Sequence, residues 1–384
     1  MPLAEAATSS LEALKAFSLG RQNGQSGDSR SALRYEKRAV ELDPNFAYAC
    51  RAISVYYTNL AEWGEPMSEA ASKAFELRGR ASELERLLIE AQYYEVVANE
   101  QDRVTEALET ATQTYPRSQV AWHSLGWHYR NIGQDEKAIA ALRESVRLSP
   151  TVPSYVVLAS TLFYLDRFVE IKELCLQTLA QKVEPETCPA DLFQIAFLEG
   201  DGAGMKRQVE RANALPNPVR VWSWQRDAAL AHGRLRQARE FTQKGIRFNR
   251  SRNAKSPGFL GTMAVYEAVV GNCAQSEEAG RAALEPGTNS ATVVAAALCR
   301  DRDRTSSMAD EMSKHFPKNF MSVNTAFLPC LRALANGDAL PAAAREFRVN
   351  NSGDVGGLPL AYCRGEVYLA QRMGAEAAPE FQKI

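Results

Sequence analysis

Breaks in the helical pattern of this sequence recur at a nearly fixed interval, and that interval limits the fold more than any other feature. Apolar residues follow one another at three- and four-residue spacing almost throughout, as in amphipathic helices, and β-branched alternating runs are missing. Two kinds of break interrupt the helices. Gly27-Asp28, Gly133-Gln134, Gly200-Asp201 and Gly337-Asp338 fall inside units, while Asp43-Pro44, Tyr115-Pro116 and Ser149-Pro150 fall between them. The period is about 34 residues, so a chain of 384 residues holds about eleven units. Each unit reads as two helices joined by a tight turn, and neither helix can bury its apolar stripe alone. The units must therefore stack, and the chain reads as one quasi-linear array over 1–384 rather than two or three globular domains.

The clearest unit runs over 118–151. Its first helix carries Trp122, Leu125, Gly126 and Tyr129, and the turn Ile132-Gly133-Gln134-Asp135 follows. The second helix carries Ala138, Ile139, Leu142 and Ser145, and Pro150 closes the unit. At 100° per residue Trp122, Leu125 and Tyr129 share one stripe. Gly126 and Ala138 are small, so the two helices approach closely, and Pro150 cannot continue a helix. Other units match in part. The first has Leu19-Gly20, Gly27-Asp28, Ala32 and Ala39; the ninth ends at Phe316-Pro317; a loop over 349–357 follows the tenth. The last, 358–384, opens with Gly365 and Tyr368 and continues to Ala377 and Phe381.

The pattern W-x2-L-G-x2-Y over Trp122–Tyr129 resembles the tetratricopeptide repeat family. The resemblance implies an all-α, right-handed α-solenoid of about ten to eleven antiparallel helix pairs. Three segments, 3–20, 231–240 and 374–384, further resemble the C-terminal repeat region of multidomain bacterial serine/threonine protein kinases of the acidobacterial type. That likeness implies a regulatory or sensory region. The kinase motifs themselves, a Gly-rich loop with a strand lysine, H-R-D-x-x-x-x-N and D-F-G, are absent from the sequence. The stop at Ile384 inside the eleventh unit, without a polar capping helix, reads as a fragment of a longer protein.

Charge and motifs exclude several functions. Lys plus Arg number 45 against 46 Asp plus Glu, which offers no long-range attraction to nucleic acid or an anionic membrane. Residues 1–10 lack the features of a signal peptide, and no apolar stretch is long enough to span a bilayer. A stand-alone chain would then be cytoplasmic, and the distal region of a membrane kinase would be extracytoplasmic. The seven cysteines lie singly in apolar helical patterns, without C-x-x-C, and read as buried thiols in a reducing compartment. His123, His128, His232 and His315 show no metal-ligand spacing, so no metal or cofactor is expected. Gly200–Lys206 lacks the phosphate-loop pattern and reads as an interhelical turn, and Asp301–Arg304 reads as a solvated turn. No catalytic constellation is visible.

The remaining expectation is a binding groove, lined by the first helix of each unit. On the face away from the Trp122 stripe lie His123, Trp127 and Arg130, with Asn131 at the edge; the matching faces of earlier units present Phe17, Arg21, Arg51 and Asn59. An exposed aromatic flanked by polar groups suits a protein or peptide partner. The alternative is a sensory region of a kinase that binds a ligand or self-associates, and Trp127 packed against a neighbouring helix, with solvated arginines, is the competing reading of the site. The lysine and asparagine of the clamp that holds chaperone tails are replaced by Phe17 and Arg21, which disfavours that class of partner.

Overall fold

The computed structural model describes residues 8–60, 62, 64–180, 187–213, 219–251, 257–283, 290–315, 322–346 and 360–383. Among them every regular element is helical. The loop expected over 349–357, the Phe316-Pro317 break and Ile384 lie outside the described residues.

The chain divides into two compact units, Met1–Pro185 and Glu186–Ile384. In the first, five antiparallel pairs follow one another: α1 (Leu11–Gln25) with α2 (Ser29–Leu42), α3 (Ala47–Asn59) with α4 (Glu65–Glu76), α5 (Glu83–Tyr93) with α6 (Gln101–Thr114), α7 (Gln119–Asn131) with α8 (Asp135–Leu148), and α9 (Val152–Tyr164) with α10 (Phe168–Ala180). A π-helical turn, Tyr94–Ala98, prolongs α5. The second unit contains α11 (Thr187–Leu198) with α12 (Gly202–Asn213), α13 (Val219–Ala231) with α14 (Leu235–Ser251), α15 (Pro257–Val269) with α16 (Cys273–Ala283), and α17 (Ser290–Leu298) with α18 (Arg302–His315). A second π-turn, Ser322–Phe327, leads into α19 (Leu328–Asn336) and the short α20 (Ala342–Glu346), and α21 (Leu360–Ala370) pairs with α22 (Gly374–Phe381). The fold is thus the all-α packing of tetratricopeptide-type helix pairs.

Local chemistry starts these helices where the sequence breaks. Ser10, Asp28 and Ser118 each accept a hydrogen bond from the backbone N–H three residues on, and Ser82 with Glu85 forms a capping box. Gly133 takes φ +73° and Gly200 φ +71°, left-handed conformations that end α7 and α11. Asp201 then accepts from the Gly204 N–H at 2.8 Å, so Gly200–Lys206 is the turn into α12.

Within each pair the helices touch through small residues. A Cβ added at Gly126 would stand 2.5 Å from Leu142 Cγ, and one at Gly365 would stand 2.6 Å from the Phe381 ring. At the same sequence offset, Gly20 faces Glu36. Glu36 is fully buried and neither carboxyl oxygen has a hydrogen-bond partner. Burial pushes its carboxyl up to about 9, against a weaker opposing pull from Arg21. The first unit also curls back on itself. Val152 Cγ1, at the start of α9, lies 3.0 Å from where a Cβ on Gly27 would be, so the fifth pair meets the turn of the first.

The cysteine expectation needs correction. Cys50, Cys330 and Cys363 are buried free thiols, but Cys273 and Cys299 form a disulfide with a Cα–Cα distance of 5.6 Å. Cys175 and Cys188 are not free thiols either. Cys273 opens α16 and Cys299 follows the end of α17, and only helix stacking brings these points together. Spacing along the chain carried no sign of it. The bridge removes the basis for reading a reducing compartment from the cysteines.

Candidate partner-binding site

The first helices of the pairs carry most of the residues expected in a groove, and the structure separates them into two groups. Arg51, His123, Trp127, Arg130 and Asn131 come together around α7 in the first unit. Phe17, Arg21 and Asn59 do not join them as a solvent-facing row.

Phe17 is a core residue, 7% exposed, with its ring 5.0 Å from Phe46 and 5.8 Å from Tyr48. The aromatic pair at the start of α3 covers it, which corrects its expected place in the groove. Arg21, one turn later, is exposed with its guanidinium 6.0 Å from the Phe17 ring. Asn59 is exposed at the last residue of α3. Arg51 also departs from the expectation. It is 8% exposed, its Nε donates to the Leu88 carbonyl at 2.9 Å, and its guanidinium reaches Ser124 Oγ at 3.4 Å. Its length ties α3 to α5 and α7, so it serves as internal bracing.

His123 is half-buried, with Nδ1 3.1 Å from Ser154 Oγ. Ser154 in turn meets Ser145, Thr151 and Gln119 at 3.0 to 3.1 Å, a buried polar network that fastens α7, α8 and α9. Burial, with Arg51 adding to the effect, pushes the His123 imidazole down to about 4, so it is neutral at physiological pH. His128 faces the other way, as expected from the five-residue offset. It is fully buried, 2.7 Å from Thr105 Oγ1, and burial holds it near 4 as well.

The next turns of α7 are more open. Trp127, Arg130 and Asn131 are half-buried. The Arg130 guanidinium lies 5.7 Å from the Trp127 ring and 5.5 Å from the ring of Tyr164, which is 46% exposed. Its Nε is buried without a hydrogen-bond partner, and no carboxylate lies within ion-pair distance among the described residues. Burial lowers its proton affinity, against weaker opposing influences from Tyr164 and Asp135.

Sequence reasoning missed Glu95. It stands on the π-turn after α5, where the widened backbone sets it against α7. Asn131 Nδ2 donates to its carboxyl at 3.2 Å, and the Trp127 side chain acts with it to favour the ionised carboxyl. Burial raises its proton affinity, and Asn131, Arg51 and Trp127 oppose the shift. The available signal was one acidic residue inside the apolar run Tyr93-Tyr94-Glu95-Val96-Val97-Ala98. Trp127 thus has Arg130 over its face and acts on Glu95. This site offers aromatic area and two polar groups of opposite sign. It holds no assembled nucleophile and base, and among the described residues no group of three His, Cys, Asp or Glu is placed to hold a metal. No helix among them is long and apolar enough to cross a membrane.

The tetratricopeptide repeat family model matches residues 120–152, the pair α7 and α8. No curated protein matches the sequence. Among solved structures, a thermophilic tetratricopeptide-repeat protein of Thermus thermophilus is 20% identical, with 44% of this chain and 91% of that chain covered and a TM-score of 0.35. PilW, a type IV pilus biogenesis factor, is 18% identical over 54% of this chain and 94% of its own, with a TM-score of 0.37. Yeast Tom70 is 12% identical, covers 97% of this chain and 91% of its own, and has a TM-score of 0.41. At such scores the assignment rests on the helix pairs themselves and on the matched repeat. Tetratricopeptide repeats serve in general as protein-interaction scaffolds, and this chain carries one such repeat at 120–152 within an all-α array of like helix pairs.

Proposed function

We propose that the protein is a non-catalytic scaffold that binds a protein or peptide partner through the inner side of its first unit, at the C-terminal turns of α7. The observation that carries this reading is Arg130. A half-buried guanidinium flanked by Trp127 and Tyr164, without an ion pair, is held in place at a desolvation cost that its own fold does not offset with a hydrogen bond. Such a group is already ordered for a partner, which lowers the entropic cost of binding. Trp127 adds the aromatic contact area typical of interface centres. The expected contact set is Trp127, Arg130, Asn131 and Glu95, with Arg21, Asn59 and His123 at the margins and Phe17 and Arg51 as support beneath.

The experiment is a pull-down with the wild-type chain and the Trp127→Ala/Arg130→Ala variant, with circular dichroism confirming that both are folded. Partners specific to this site drop at least tenfold with the variant. Equal recovery of every partner by both proteins would sink the site.

The finer reading, a sensory region of a bacterial serine/threonine kinase, is supported by the resemblance of segments 3–20, 231–240 and 374–384. An in-frame kinase coding segment upstream of Met1 supports it, and an isolated gene counts against it.

A further inference from the structure

We propose that the Cys273–Cys299 bridge is a redox-active site that exchanges with dithiols and latches one end of the cleft between α16 and α17. This goes beyond the scaffold reading and is independent of it, because it concerns the second unit alone.

The two helices belong to successive pairs, and the surfaces they turn to each other are small. Ser276 and Gly280 of α16 face Thr292, Ala295 and Ala296 of α17, and a cleft of about 340 Å³ remains between them. Both cysteines line it. Side chains of this size contribute little contact area across the gap, so the covalent bond adds to the closure at that end.

The bridge is also accessible. Cys273 is exposed and Cys299 half-buried, whereas the three free thiols, Cys50, Cys330 and Cys363, are buried. Cys273 is the first residue of the eleven-residue helix α16. Once reduced, its sulfur belongs to the first residue of a helix, where the helix dipole favours a thiolate. The charged groups that line the same cleft pair with one another. Glu277 pairs with Arg281 at 2.5 Å and Arg304 at 3.4 Å, and Asp301 accepts from the Arg304 backbone N–H at 3.1 Å. A disulfide whose reduced form is stabilised in this way is the more readily reduced.

The exchange runs in two steps. One thiolate of the dithiol attacks the exposed Cys273 Sγ, forming a mixed disulfide and expelling the Cys299 thiolate, which takes up a proton. The second sulfur of the reductant, deprotonated, attacks its own partner in the mixed disulfide and releases Cys273. The reductant leaves as a disulfide, and two electrons and its two thiol protons have passed to the pair, with Cys273 free to lose its proton again. The covalent link between the two helices is then gone, and the cleft opens.

The test uses the full chain, dithiothreitol as the dithiol, maleimide labelling with peptide mapping, and amide hydrogen exchange. Without reductant, Cys273 and Cys299 take no label. With millimolar dithiothreitol and no denaturant, both label within minutes while Cys50, Cys330 and Cys363 stay protected. Exchange over 273–283 and 290–299 accelerates at least tenfold, and oxidation of the pair reverses it. The Cys273→Ser/Cys299→Ser variant shows the fast exchange at once, and reductant adds nothing there. Three results overturn the proposal: labelling of both cysteines before reduction, reduction that requires denaturant, or reduction that leaves exchange along α16 and α17 unchanged. None of these bears on the pull-down at Trp127 and Arg130, so the two readings fail separately.

Discussion

The pairs α1/α2 and α7/α8 share one geometry and differ in one contact. In both, a glycine on the first helix receives a side chain from the second at the same sequence offset. At Gly126 that side chain is Leu142, fully buried, and the contact is apolar on both sides. At Gly20 it is Glu36, as deeply buried, with two carboxyl oxygens and no partner for either. The packing position therefore selects for a side chain that fills space against a bare backbone, and polarity is tolerated there only if the carboxyl stays protonated. The family model matches the pair with the apolar contact, and the pair with the carboxyl is the one whose turn meets α9.

Moving the carboxyl to the other pair breaks the comparison most severely. Leu142→Glu is expected to destabilise α7/α8 by about 3 kcal/mol or more at pH 7, because a charge or an unpartnered carboxyl enters a dry contact. Local hydrogen exchange over 119–148 reads this without assuming that the whole array unfolds at once. A loss below about 1 kcal/mol would show that the position accepts a carboxyl anywhere in the fold.

The reverse change, Glu36→Leu, is expected to stabilise α1/α2 by about 1–3 kcal/mol at pH 8. The sign follows from linkage. The ordinary glutamate value is 4.5, and burial raises Glu36 to about 9 in the folded chain. Below 4.5 both states are protonated and the group has no pH-dependent effect. As pH rises from 4.5 towards 9 the unfolded chain ionises alone, so the native state weakens progressively. The gain from Glu36→Leu must therefore shrink towards pH 4.5, and melting curves at pH 5 and pH 8 check it. A gain independent of pH would mean that Glu36 finds a partner in solution.

How much of this was legible in the sequence depends on the length scale of the cause. The pairs, their turns at Gly133 and Gly200 and the role of Gly126 follow from local rules, since a period of about 34 residues and a glycine before a helix break act on neighbours in the chain. Phe17 and Arg51 were placed on the correct helices and given the wrong environment. Periodicity names a face but not what covers it, and Phe46, Tyr48 and Leu88 come from other elements. Glu95 stood out only as an acidic residue in an apolar run, because a π-turn shifts its register from the 3.6-residue pattern. The bridge between Cys273 and Cys299 joins two pairs, so only stacking reveals it. Arg130 and Trp127 were read as a face with two fates, and the half-buried environment of both lies between them.

The smallest effect separates the two glycines themselves. An alanine at Gly126 brings its Cβ to 2.5 Å from the branch atom of Leu142 and 3.2 Å from the Ala138 carbonyl oxygen, and the backbone atom cannot swing aside. Overpacking of this kind costs about 1–3 kcal/mol. Alanine also favours the helix over glycine by about 0.5–1 kcal/mol, so the net loss for Gly126→Ala is about 0–2.5 kcal/mol. At Gly20 the obstacle is the end of the Glu36 side chain, which rotates more freely than a backbone carbonyl. There the helix term offsets the clash, and Gly20→Ala is expected within about 0.5 kcal/mol of wild type. Hydrogen exchange of the two pairs in the two variants gives the difference directly. If Gly20→Ala proves as damaging as Gly126→Ala, the Glu36 carboxyl is held as rigidly as Leu142, and its burial reflects a fixed position rather than a tolerated one.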